Sequence, residues 1–183
     1  MNWQNDFAEV NGIRIHYHRT GGDKPALLLL HGITDNGLCY GRAAGALAGD
    51  YDCILVDARG HGRSDKPEDG YHSDDYAGDF AGLIEALGLG PVLVMGHSLG
   101  AINAATLAAN HPQLVRAAVL EDPPWWDRSG VEEQESPERA ARDMDEWRAG
   151  LIAQQKQSLE EIIAGGRERS PKWSEEELPA WAQ

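Results

Sequence analysis

The chain is short of cysteine, phenylalanine, positive charge and long apolar runs, and each shortage excludes something. Only two of its 183 residues are cysteine, Cys39 and Cys53. Without paired spacing they build neither a disulfide framework nor a thiolate metal site, so a reduced, cytoplasmic compartment is the expectation. Sixteen Lys and Arg face thirty Asp and Glu, a formal charge of −14. Neither nucleic acid nor an anionic membrane is expected as a partner, since both need clustered cations. The acidity is densest after Glu121, where it reads as a solvated helical surface. The longest apolar run, Ala26–Leu30, is far short of a membrane span. The opening Met1-Asn2-Trp3-Gln4-Asn5-Asp6 lacks the basic start and apolar stretch of a secretory leader. No repeat recurs at solenoid spacing. Histidine is missing altogether beyond His111.

What is present suits a globular core, with 42% hydrophobic residues. Residues 7–10 and 13–18 flank Asn11-Gly12, a pair that tolerates positive φ at both positions of a tight hairpin. The runs 26–30, 53–56 and 92–95 are continuously apolar rather than alternating, as expected of parallel strands covered on both faces. Residues 115–120 read as one more buried strand. Between them, residues 38–47, 74–87 and 99–110 read as helices. The second carries Tyr76, Phe80, Leu83, Ile84 and Leu87 at helical spacing. Ser73, Asp74 and Asp75 stand at its start, where their oxygens suit the free amides. His111-Pro112 should close the third helix, because the residue before proline avoids helical angles. Alternation of strand and helix predicts a doubly wound, mostly parallel sheet with its site beyond the carboxyl ends of the strands.

After Pro123-Pro124 the pattern changes to helical segments at 138–151 and 154–163, with Gly165-Gly166 as a stop. Trp125, Trp126, Trp147, Trp173 and Trp181 fall in this region. They either line a lid or supply buried area that fixes it to the core, and packing is the commoner use of aromatic residues. The expected division is therefore 1–122, a core, and 123–183, a helical lid.

The sharpest motif is Gly96-His97-Ser98-Leu99-Gly100, placed between an apolar strand and a helix. A serine in Gly-x-Ser-x-Gly at such a turn is built to attack carbonyls, with glycines where side chains would clash. A serine hydroxyl alone is a weak nucleophile and needs a histidine base oriented by a carboxylate.

Three segments, in order and at strand ends, carry a family resemblance. They are Leu27 to His31-Gly32, then Asp57-Ala58-Arg59-Gly60-His61-Gly62-Arg63-Ser64-Asp65, then Val94 to Ala101 around Ser98. Over residues 7–122 the chain resembles the N-terminal portion of α/β-hydrolase fold enzymes. The resemblance implies Ser98 as nucleophile and an oxyanion hole from the backbone N–H groups of Ile33 and Leu99. It implies a hydrolase of ester, thioester or related carbonyl bonds in small apolar substrates, with no metal and no organic cofactor. Epoxide and haloalkane chemistry generally needs Asp where this chain has Ser98. The loop 57–65 reads as structural, with Ser64 a turn residue.

In the family the acid and the histidine follow later strands. Here Asp122 is the candidate acid, ahead of Glu121, both at the end of the strand 115–120. No upstream histidine fits as base: His97 should point away from Ser98, His61 and His72 match no catalytic position, and His31 shapes the oxyanion loop. His111 lies roughly 20 Å along the helix at about 1.5 Å per residue. An incomplete chain is the preferred expectation, ahead of completion in trans or a variant without turnover. The alternative function is a ligand-binding, receptor-like homologue. Lack of the family's later strands also predicts an uncovered sheet edge at 115–120, open to self-association.

Overall fold

Asn11 and Gly12 both adopt positive φ, 50° and 80°, and turn β1 (Gln4–Val10) back on β2 (Ile13–Arg19) with Val10 opposite Ile13. In the computed structural model the described residues are 3–125, 137–154 and 156–172, with 175, 178, 179 and 182. The remaining core elements are β3 (Ala26–Leu30), α1 (Gly41–Leu47), β4 (Asp52–Val56), α2 (Ser73–Ala86), β5 (Val92–His97), α3 (Leu99–Asn110) and β6 (Val115–Glu121). They build one sheet in the order β1-β2-β4-β3-β5-β6. β2 joins β4 antiparallel, while β4, β3, β5 and β6 run parallel. The chain moves outward from β3 to β4, returns past β3 to β5, and continues to β6. The strand order thus reverses between β3 and β5, and a crevice opens at their carboxyl ends.

The apolar runs split between two faces, as the period of two requires. Leu28, Leu30, Ile54, Val56, Val92 and Val94 pack with Phe80, Leu83, Ile84 and Leu107 of α2 and α3. Leu27, Leu29, Cys53 and Leu55 pack on the other face with Tyr40 and Ala44. That second layer is thinner, so β5 alternates between buried and half-buried positions.

Several expectations need correction. β6 pairs in parallel with β5, but it is largely exposed rather than buried, with Val119 58% accessible. It is the last strand of the sheet among the described residues, and α3 packs against it. The structure divides into two compact units, Met1–Pro124 and Trp125–Gln183. In the second unit α4 (Pro137–Gln154) and α5 (Leu159–Arg169) replace the expected 138–151 and 154–163. α5 begins at Leu159 because Ser158 caps it: Glu161 N–H donates to Ser158 Oγ, and Ser158 N–H donates to the Glu161 carboxylate at 2.7 Å. It runs through Gly165-Gly166, since a helical glycine costs only about 1 kcal/mol against alanine and does not break the ladder. Trp125 and Trp147 are exposed rather than packed in a core. Trp126, Trp173 and Trp181 lie outside the described residues. No described helix is long and apolar enough to cross a membrane.

A buried ion pair fastens the loop after β4 to α2. Arg59 Nε and Nη2 donate to the two Asp79 carboxylate oxygens at 2.6 and 2.8 Å, and Asn11 Nδ2 adds a bond to Asp79 at 3.2 Å. Removing one partner strands a buried charge. D79A should therefore lose about 3–5 kcal/mol in urea unfolding, with most of it recovered in the apolar double variant R59M/D79L.

Candidate active site

The turn from β5 into α3 leaves no room for side chains. A Cβ on Gly96 would collide with the Gly100 carbonyl and stand 2.7 Å from Ala101 N. One on Gly100 would collide with the Leu30 carbonyl and stand 2.8 Å from His31 O. The start of α3 is thereby pressed onto the end of β3. Ser98, between these glycines, has φ 51° and ψ −113°, a conformation that costs a non-glycine residue on the order of 1–3 kcal/mol. The turn sets Ser98 at the amino end of a 12-residue helix, where the helix dipole is positive.

The sequence names two backbone amides, those of Leu99 and Ile33, as candidate oxyanion donors. Leu99 is the first residue of α3, and Ile33 follows His31-Gly32 at the end of β3. Among the described residues neither N–H has a protein acceptor. The peptide carrying Ile33 N–H is held by its carbonyl, Gly32 O, which accepts from His31 Nδ1 at 2.7 Å and from Asp35 N–H at 3.1 Å. Ile33 itself is 49% exposed, so its side chain contributes little to that placement.

His31 is buried, and both ring nitrogens are spent. Nδ1 donates to Gly32 O, and Nε2 accepts from Ala58 N–H at 3.1 Å. Burial pushes its imidazole down from 6.5 to about 4, against the opposing bond to Gly32. His97 lies against Gly32, its Nδ1 3.1 Å from where a Cβ would stand. His61 is half-buried, with Nε2 2.8 Å from Ile33 O and Nδ1 2.9 Å from Arg59 O. His111 closes the far end of α3, and His72 precedes α2. Hydrogen-bond partners thus engage both ring nitrogens of His31 and of His61.

The loop 57–65 is built around Asp57. Its carboxylate accepts from Gly37 N–H at 2.8 Å, Arg63 N–H at 2.9 Å and His16 Nδ1 at 2.8 Å. Burial works to raise this carboxyl, but the bonds from His16, Arg63 and Gly37 outweigh it and hold it below the usual carboxylate range. Ser64 is more than a turn residue: it is buried, and its Oγ donates to Asp57 O at 2.6 Å and accepts from His16 N–H at 2.8 Å.

Across the elbow, Ser98 N–H donates to Glu121 O at 2.9 Å, which ties the serine to the end of β6. The next residue, Asp122, has φ 46°. Beyond the Asn11 turn, Ser98 and Asp122 are the described non-glycine residues with positive φ, and they sit at adjacent strand ends. The sequence did not single out Asp35 or Tyr40, which belong to the same end of the sheet. The Tyr40 hydroxyl donates to Leu30 O at 3.2 Å. The half-buried Asp35 carboxyl is pushed up by desolvation and drawn back by His97 and His61. Neither belongs to a motif, and their only sequence signal is nearness to His31-Gly32. Among the described residues no three His, Cys, Asp or Glu side chains converge to hold a metal ion.

The sequence model of the alpha/beta hydrolase fold matches residues 25–165. The chain belongs to the α/β hydrolase fold family. It is 48% identical over 104 residues to 2-(acetamidomethylene)succinate hydrolase of Mesorhizobium japonicum, covering 57% of this chain and 37% of that one. It is 33% identical over 177 residues to N-formylmaleamate deformylase of Pseudomonas putida, covering 96% of this chain and 62% of that one. The crystal structure of E-2-(acetamidomethylene)succinate hydrolase superposes with a TM-score of 0.78 at 32% identity, over 99% of this chain and 63% of the other. This α/β hydrolase chain therefore spans between about a third and two thirds of the length of these relatives.

Within this α/β hydrolase site, His31 links pH to stability. Its unfolded form takes up a proton near pH 6.5 and its folded form only near 4, so in that window the unfolded state binds more protons. Stability present above about pH 6.5 should be lost as pH falls toward 4, by about 3 kcal/mol at most. Urea unfolding at pH 7 and pH 4.5 checks this, with H31Q showing the smaller difference between the two.

Proposed function

We propose that the chain carries the nucleophile, the oxyanion amides and the orienting acid of a serine hydrolase that cleaves the acyl bond of a small substrate. The observation that supports this best is Ser98, held at positive φ between two glycines that admit no side chain. The proposed step starts with attack of Ser98 Oγ on a carbonyl carbon, its proton passing to an imidazole base. The carbonyl electron pair moves to oxygen, where Ile33 N–H and Leu99 N–H stabilise it; one such donor is typically worth on the order of 3 kcal/mol of barrier. Collapse expels the leaving nitrogen or oxygen, which takes the proton back. Water then releases the acyl group by the same steps.

Asp122 is the acid that orients the imidazole in this reading, supported by its strained backbone one residue beyond the carbonyl that holds Ser98. On substrate, the two relatives are named for compounds with an acylated nitrogen and carboxyl groups, so an N-acyl or ester bond in a small organic acid fits better than a purely apolar ester. The second unit, with α4 and α5, is read as the lid that selects it.

The test uses the polypeptide at its full natural length. A fluorophosphonate probe should label it stoichiometrically, and S98A should abolish labelling. D122N should lower kcat on the order of 10⁴-fold with the fold intact. An unlabelled protein that still binds ligand tightly would overturn the enzyme reading in favour of a receptor-like homologue.

A further inference from the structure

Ile33 poses a mechanical question, because its amide must stay aimed at one point while its side chain is half out in solvent. The peptide on its amino side is fixed by His31 and by Asp35 N–H, both on Gly32 O. The peptide on its carboxyl side ends in Ile33 O, which lies 2.8 Å from His61 Nε2. Consecutive carbonyls on either side of the Ile33 Cα are thus each met by a histidine. The two rings also pack on each other, centroids 4.9 Å apart at 64°. A carbonyl oxygen only accepts, and His61 faces two, Arg59 O at 2.9 Å from Nδ1 and Ile33 O at 2.8 Å from Nε2, so the bond to Ile33 forms in the tautomer or the cation whose Nε2 carries the proton.

His61 is itself carried on a rigid support. His61 N–H donates to Ala58 O at 2.9 Å, Gly60 N–H to Asp65 O at 3.0 Å, and Ser64 N–H to His61 O at 3.1 Å. Arg59, its neighbour but one, is locked to Asp79. Gly60 and Gly62 flank the histidine at φ 79° and 48°, backbone states that L side chains rarely adopt. Gly60-His61-Gly62 therefore has a division of labour: the glycines make the turn, and the histidine reaches across to the loop after β3.

We propose that His61 is a positioning residue for the oxyanion hole, holding Ile33 O so that Ile33 N–H points at the reacting oxygen. This rests on the reading of Ser98 as nucleophile. A misplacement of about 1 Å at a reacting group can cost on the order of 10²-fold in rate. His61 acts through Ile33 O, so kcat rather than KM carries the effect.

The experiment compares H61A, H61N and H61Q in the full-length polypeptide. The Gln amide reaches as far as Nε2 and can donate to Ile33 O, whereas Asn reaches only as far as Nδ1. With p-nitrophenyl acetate, H61A and H61N should lose roughly 10²-fold in kcat with KM little changed, and H61Q should recover most of it. Hydrogen exchange at the Asp35 amide, which reports closure of the loop on Gly32 O, should quicken in H61A and H61N and stay slow in H61Q. Wild-type kcat in H61A, or equal losses in H61N and H61Q tracking a common fall in melting temperature, would overturn the proposal. Unchanged Asp35 exchange in H61A would overturn it too. A wild-type protein that neither turns over nor takes the fluorophosphonate label, yet shows faster Asp35 exchange in H61A, keeps the loop-positioning role and removes the nucleophile reading instead.

Discussion

The first turn of α3 touches the ends of β3 and β5 with nothing but hydrogen between them, and the rest of the site follows from that contact. Gly100 lies against the Leu30 carbonyl and Gly96 against Gly100, so any side chain at either place would push the helix off the sheet. Because the helix begins so abruptly, Ser98 takes a positive φ and Leu99 N–H has no acceptor among the described residues. The energetic cost of the serine's conformation is met by the packing of α3 through Ala104 and Leu107 and by the Ser98 N–H bond to Glu121 O.

A second polar layer keeps the loops beneath this turn in register. Asp57 joins the loop after β4 to β2 through His16, and to the turn before α1 through Gly37. Ser64 closes the same circuit from the other side. Every oxygen of the Asp57 carboxylate has a donor, which is the condition under which a buried charge is tolerable. Arg59 and Asp79 extend the layer to α2. The chemistry on top therefore rests on fixed backbone carbonyls and amides rather than on mobile side chains.

Family membership and reaction stand on different footing. The fold is shared by proteins of many activities, and a site's residues, not its fold, select among them. In the proposed reading those residues are Ser98, the Ile33 and Leu99 amides, which have no acceptor among the described residues, and Asp122 at the neighbouring strand end.

The sequence by itself determined the parallel core, the hairpin at Asn11-Gly12 and the elbow, because each is written in local terms: apolar runs, turn glycines and a motif of five residues. It also placed Ile33, Leu99 and Asp122 at strand or helix ends, where backbone groups are free. Residues 115–120, read both as a buried strand and as an uncovered edge, form an exposed β6, since exposure depends on what lies beside a strand and not on its own residues. The sequence misjudged the reach of α5, where the Ser158 cap and tertiary packing outweigh the weak preference of two glycines. Only the tertiary structure decided the roles of the histidines. Whether an imidazole is a base, a clasp or a cap depends on which carbonyls and amides lie about 3 Å from its nitrogens. For His31 and His61 one partner of each ring comes from a segment 27 or 28 residues away in the chain.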